Sequence, residues 1–307
     1  MVEFDVVILT DARYENPSAP DWYARQVLHE DGLVQSALER RGLRTARLDW
    51  ARPDFDWSNT RAALFRTTWD YFHRVDEFVA WLDRVGPGTR FINPASLVRW
   101  NRQKRYLDDL GSRGVRIVAT HFVERGSSDS LAAVLDATGW DEAVLKPVVS
   151  GAARETYRIT PDDTGKLDKR FRKLVAAEAM MLQPFQHAIM DDGELSLMVI
   201  GGRFTHAVRK QARPGDFRVQ DDHGGTVHGH DATPDEIAFA EAAAAACSPL
   251  PLYARVDVVR DNDGFLALME LELIEPEMFF RMHPPAAEVM AEAVENSLWS
   301  DIQSCSE

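Results

Sequence analysis

Cysteine is nearly absent from this 307-residue chain. Cys247 and Cys305 are the only two, and neither stands in a CxxC pair, which excludes a zinc ribbon or a disulfide scaffold. Long apolar runs are missing as well: nothing approaches the roughly 20 residues that cross a bilayer. The opening MVEFDVVILTDARYE lacks the basic start of a signal peptide, so the expectation is a cytoplasmic protein with no membrane partner. Positive charge is in the minority, with 35 Lys+Arg against 49 Asp+Glu and a net charge of −14. That balance excludes a sequence-independent nucleic-acid binder, which needs a basic face for phosphates, but leaves room for a local pocket for a small anion. Neither the GxxxxGK of a P-loop nor the GxGxxG of a dinucleotide fold occurs, so both of those phosphate cradles are ruled out in their usual form.

What is present is an ordinary globular balance, 45% hydrophobic and 27% charged, on a chain long enough for about two domains or several subdomains. The first third alternates in type. Val6 to Leu9, Thr45 to Leu48, Ala62 to Phe65 and Phe91-Ile92 read as strands, while Leu28 to Arg41 and Phe78 to Val85 carry helical spacing. Such alternation predicts a parallel α/β sheet. The middle reads as an extended piece at 116–124, a helix at 130–138, and two strands, Glu142 to Pro147 and Thr156 to Ile159, joined by small residues. The last third offers strands at 195–200 and 203–209, a polar loop at 211–226, a helix at 235–247, and two strands joined by Asp261-Asn262-Asp263-Gly264. The expected division is 1–95, 96–181 and 182–307.

The closing hairpin is the most informative segment. Alternation puts Arg255 and Asp257 on one face of YARVDVVR, and Glu270 and Glu272 on one face of LALMELELIEP. A four-residue turn pairing Arg260 with Phe265 would set Arg255 opposite Glu270, with Asp257 diagonal to it at about 7–8 Å. Two carboxylates 4 Å apart repel by about 4 kcal/mol at an effective dielectric of 20, and magnesium would relieve this. The pattern fits two readings, a solvated sheet face neutralised by Arg255 or a metal site. Strand interiors are poor places for Asp and Glu, and this favours the site.

A site for phosphates also needs cations. Lys104 stands just before a helical stretch, and Lys146 ends the apolar strand AVLK, where a lysine is costly unless it meets an anion. Ser150-Gly151-Ala152-Ala153 is small enough for its N–H groups to approach phosphate oxygens. His223, His228 and His230 in HGGTVHGH lack zinc-ligand spacing and read as part of a mobile loop closing over a site. Arg66, Thr67, Asp70 and Tyr71 follow a strand end, where α/β folds commonly place ligand loops; a helix cap with a packed Trp69 is the alternative.

In order, Asn101 to Lys104, Lys146 with Ser150-Gly151, the hinge Met181-Leu182-Gln183-Pro184-Phe185, GDFRVQDDHGG, RVDVV and MELEL resemble the ATP-grasp superfamily across nearly the whole chain. The resemblance implies an N-terminal parallel α/β domain and two α+β subdomains enclosing ATP. It implies that Lys104 and Lys146 contact the nucleotide, that the backbone of Gln183, Pro184 and Phe185 reads the adenine edge, and that Glu194 takes the ribose hydroxyls. Arg218 would bind the transferred phosphate with Arg255 as the second arginine donor. Asp257, Glu270 and Glu272 would hold one or two magnesium ions, for which manganese can substitute. Two departures stand out: Pro184 replaces an acid common in the hinge, and Glu272 replaces an Asn common at the third metal position.

Within the superfamily, RTTWDYFHR (66–74) and IEPEMFFRMHP (274–284) resemble a group of small bacterial ligases represented by D-cycloserine synthetase, which cyclises O-ureido-D-serine; Arg66, Thr67, Asp70 and Tyr71 would then face substrate. The implied activity is activation of a carboxylate as an acyl phosphate, followed by attack of an amine-type nucleophile and release of ADP and phosphate. The partners are thus small-molecule substrates, and a homodimer is the default by symmetry. The competing readings are a non-catalytic nucleotide-binding protein, which would be expected to have lost metal ligands, and a Mg-dependent hydrolase, which would need no acceptor.

Overall fold

The computed structural model describes residues 2–219 and 224–304. Three sheets account for the strands among them. The first comprises β1 (Phe4–Thr10), β2 (Thr45–Asp49), β3 (Thr60–Thr67) and β4 (Arg90–Ile92), all parallel in the order β2-β1-β3-β4. Alternation along its central strands feeds two cores. Val7, Leu9, Ala63 and Phe65 face an aromatic cluster with Trp50, Phe78 and Trp81. Val6, Ile8, Ala62 and Leu64 face Val34, Ala37 and Leu38 of helix Trp22–Arg40. The helix Pro285–Ser304 joins this second core through Met290, Ala291 and Val294, and Arg41 pairs with Glu295 at 2.7 Å, so the end of the chain completes the packing of its beginning.

The second sheet holds β5 (His121–Val123), β6 (Ala143–Pro147), β7 (Tyr157–Ile159) and β8 (Met180–Pro184), antiparallel in the order β5-β8-β6-β7. Helices Leu131–Thr138 and Pro161–Ala177 cover one face, burying Leu145, Ile159 and Leu182. The second of these helices starts at a proline, with Asp163 accepting from the Thr160 N–H at 3.2 Å. The third sheet holds β9 (Glu194–Ile200), β10 (Arg203–Gln211), β11 (Thr226–His230), β12 (Tyr253–Arg260) and β13 (Leu266–Glu272) in the order β11-β10-β9-β12-β13. Its back face (Leu195, Leu197, Ala254, Val256, Leu271) packs on the alanine-rich helix Pro234–Ala245.

Two expectations need correction. The His-rich stretch, apart from residues 220–223, which lie outside the described residues, is strand β11 paired to β10; His230 binds Glu236 at 2.9 Å. The closing hairpin has a longer connection than expected. Arg260 pairs with Leu266 rather than Phe265, and an irregularity between Asp257 and Val258 shifts the register again. The cause is Asp261, whose carboxylate accepts from the N–H groups of both Asp263 and Phe265 and widens the turn. Asp257 therefore lies directly opposite Glu270, and Arg255 opposite Glu272.

The free edge of β13 is held by side chains. Asn101 donates to the Leu271 carbonyl at 2.8 Å and accepts from the Leu273 N–H at 2.9 Å, and the Tyr106 hydroxyl accepts from the Leu271 N–H at 3.0 Å. Asn93 donates to the carbonyls of Tyr253 and Leu273, at 2.9 and 2.8 Å. These amides satisfy backbone groups that an edge strand would leave open. They also fix the strand that carries Glu270 and Glu272.

Candidate active site

The polar faces of the second and third sheets look into one cavity of about 410 Å³. Period-2 alternation explains the lining: Val144, Lys146 and Gln183 are the residues of β6 and β8 that point away from the small core, and Glu194, Lys210, Arg255, Asp257, Glu270 and Glu272 point away from the alanine helix. Ser150 to Arg154 close one side, and Arg13, Tyr14, Tyr23, Trp69, Phe72 and His73 reach in from the N-terminal domain.

Most of the acids in the cavity are paired with cations. Lys104 Nζ lies 2.7 Å from Glu270 Oε1 and donates to the Ser150 carbonyl at 2.8 Å. Lys210 sits between Glu194 at 2.5 Å and Asp257 at 3.2 Å. Arg255 joins Asp257 at 2.8 Å to Glu272 at 2.5 Å, and the Ser196 hydroxyl donates to Asp257. Burial raises the Asp257 carboxyl, but Arg255, Lys210 and Ser196 outweigh it and hold the group below its ordinary value. Glu270 follows the same pattern through Lys104 and Lys146. Burial pushes the Lys146 ammonium below its ordinary value despite the pull of Glu270. Glu272 is pushed up to about 7 by burial and by Glu270 and Asp257, in spite of Arg255.

Asp257, Glu270 and Glu272 are hard oxygen donors gathered on one face, which is the donor chemistry magnesium takes. Their oxygens here face Lys104, Lys210 and Arg255, and among the described residues no three His, Cys, Asp or Glu side chains are gathered in a metal-holding group.

Of the residues expected at the site, Lys104, Lys146, Ser150, Gly151, Gln183, Pro184, Phe185, Glu194, Arg218, Arg255, Asp257, Glu270 and Glu272 all line the cavity. Arg218 is held by Asp216 at 2.8 Å. In the hinge, the Phe185 N–H donates to the Glu142 carbonyl, and the Phe185 and Pro184 carbonyls accept from Asn262 and Gln186; these groups already have protein partners. Arg66, Thr67, Asp70 and Tyr71 do not line the cavity. Arg66 is buried beside Asp31 and donates to the Pro276 carbonyl at 3.1 Å, Thr67 bonds Thr10 and Asp31, and Asp70 accepts from Trp50 and Arg74. The same segment reaches the cavity through Trp69, Phe72 and His73. Cys247 is buried away from it, its thiol pushed up to about 11 by burial, and Cys305 lies outside the described residues.

Sequence reading missed Lys210. Flanked by Arg209 and Gln211, it gave no signal in the sequence; only its burial in the fold marks it as a group that needs an anion. The aromatic wall of Tyr14, Tyr23 and Trp69 was also missed.

A parallel-sheet domain followed by two antiparallel sheets that face each other across a lysine- and carboxylate-lined cavity defines an ATP-grasp ligase. The ATP-grasp ligase PsnB complexed with minimal precursor shares the fold, with a TM-score of 0.64 at 16% identity over 96% of this chain and 99% of that one. The crystal structure of D-cycloserine synthetase DcsG matches at a TM-score of 0.82 and 30% identity, over 95% of this chain and 99% of that one. The cycloserine biosynthesis protein DcsG of Streptomyces lavendulae is 34% identical over 276 residues, 84% of this chain and 90% of that one. Residues 6–93 match the family described as the N-terminal domain of D-cycloserine synthetase DcsG. The chain belongs to the DcsG family.

Proposed function

We propose that this ligase uses MgATP to activate the carboxylate of an amino-acid-like substrate, O-ureido-D-serine being the first candidate, and then closes it into a ring. The observation that supports this most is the pairing of Lys104 with Glu270 and of Lys210 with Glu194 and Asp257 in the lining of one cavity. Cations and metal-type acids held together, but in separable ion pairs, are what a site for metal-bound phosphates needs.

In the proposed reaction a substrate carboxylate oxygen attacks the γ-phosphorus, the bond to the β–γ bridging oxygen breaks, and ADP leaves. A nitrogen of the substrate then attacks the acyl carbon and expels phosphate, so no protein nucleophile is required. Lys104, Lys146 and Lys210 would carry the phosphate charge, Arg255 and Arg218 the transferring group and the acyl oxygen, and Glu194 the ribose hydroxyls. Asp257, Glu270 and Glu272 would hold magnesium, whose contribution is to shield charge on the phosphate oxygens. Among the described residues no helix is long and apolar enough to cross a membrane.

The test is stoichiometric release of ADP and phosphate on adding O-ureido-D-serine to enzyme and MgATP, with the cyclised product followed by mass spectrometry. Phosphate release at the same rate without any carboxylate acceptor would make the protein a hydrolase instead.

A further inference from the structure

Six carboxylates line the cavity, and five of them meet a protein cation: Glu194 meets Lys210, Asp257 meets Arg255 and Lys210, Glu270 meets Lys104, Glu272 meets Arg255, and Glu277 meets Arg281. Glu275 has no ion-pair partner among the described residues; its side-chain bond is with the neutral phenol of Tyr71. Burial and Glu272 push its carboxyl up to about 8. The backbone that carries it is pinned from the N-terminal domain, since the Trp69 indole N–H donates to the Glu275 carbonyl at 2.9 Å and Arg66 to the next carbonyl at 3.1 Å. Tyr14 and Tyr23 pack on Trp69, with ring centres 5.7 and 6.0 Å away, and all three rings line the same cavity.

Glu275 is half-buried, and a carboxyl drawn partly out of water without a counter-ion carries a cost that a cationic ligand would remove. We propose that Glu275 is the specificity residue that receives the α-ammonium group of the substrate, beside the aromatic wall of Tyr14, Tyr23 and Trp69. This rests on the amino-acid ligase reading above and adds to it which substrates are refused.

The placement suits the chemistry. In an α-amino acid the ammonium is attached to the carbon next to the reacting carboxylate, so its counter-ion must lie close to the point of acyl-phosphate formation. Glu275 follows Glu272 by three positions and feels the charge of both Glu272 and Glu270. Electron-rich ring faces add a further attraction for a cation. A carboxylic acid without the amino group would leave Glu275 unmatched and would be turned over poorly.

The experiment compares ADP release with O-ureido-D-serine and with 3-(ureidooxy)propanoate, which lacks the ammonium, for wild type and Glu275→Gln at several magnesium concentrations. The wild type is expected to favour the amino acid by at least about 30-fold in kcat/KM. Glu275→Gln should lose most of that preference through the KM of the amino acid, with the KM of ATP and the magnesium dependence unmoved. Equal use of both acids by the wild type overturns the assignment without reference to any variant. A variant that keeps the preference, or whose defect lies in magnesium or ATP dependence, overturns it as well. Failure of the wild type to release ADP with either acid contradicts the ligase reading itself, so the two failures are distinguishable.

Discussion

The two walls of the cavity are held in opposite ways. The wall from the third sheet is charged, and its groups lie on strands whose register fixes them: Asp257 faces Glu270, Arg255 faces Glu272, and Lys210 bridges Glu194 to Asp257. The wall from Ser150 to Glu155 is made of small side chains and strained backbone. Ala152, Ala153 and Glu155 adopt φ of 48°, 51° and 49°, a region that costs non-glycine residues on the order of 1 kcal/mol each. The Lys104 bond to the Ser150 carbonyl, the Arg154–Glu178 ion pair at 2.5 Å and the Phe72 ring against Gly151 hold that loop. Charged groups need rigid elements because a misplaced buried charge is expensive, whereas this loop, proposed to receive phosphates, is kept in place by contacts that can be released.

Substitutions on the charged wall should therefore be severe. Glu270→Gln is expected to lower kcat by about a thousandfold or more while leaving the circular dichroism spectrum unchanged; an unchanged rate would remove the metal assignment. Lys210→Met leaves Glu194 without its cation and should destabilise the protein by about 3–5 kcal/mol, read by urea denaturation. Adding Glu194→Gln should restore a large part of that loss, and a double variant no more stable than the single one would show that the charges are not coupled.

On the loop wall the effects should be smaller. A Cβ on Gly151 would come within 2.7 Å of the Phe72 ring. Gly151→Ala should raise the KM of ATP about fivefold, near 1 kcal/mol, and Phe72→Ala should relieve it. If Phe72→Ala brings no relief, glycine is required at that position for a reason other than this contact.

Much of this arrangement was legible in the sequence because alternation fixes direction. Once Val256 and Leu271 face the helix, Arg255, Asp257, Glu270 and Glu272 must face the cavity, whatever the register. Register itself depended on a turn geometry set by the Asp261 carboxylate, which composition does not reveal, and the pairing came out two residues away from expectation. Arg66, Thr67, Asp70 and Tyr71 sit where a strand gives way to a loop, and periodicity stops assigning faces there. Their polar groups turned inward to Asp31, Thr10, Trp50 and Glu275, leaving the intervening Trp69 to reach the cavity. Helix Pro161–Ala177 was missed because its charged sequence has a narrow apolar stripe, although Thr160-Pro161 and Asp163 mark its start.

The central claim is that this cavity holds MgATP between Lys146 of the second sheet and the acids of the third. Titration calorimetry of MgATP against the wild type and Lys146→Ala tests it most directly. The account predicts binding that requires magnesium and weakens at least about tenfold in the variant. Equal affinity in both proteins, or no binding to either, would contradict it.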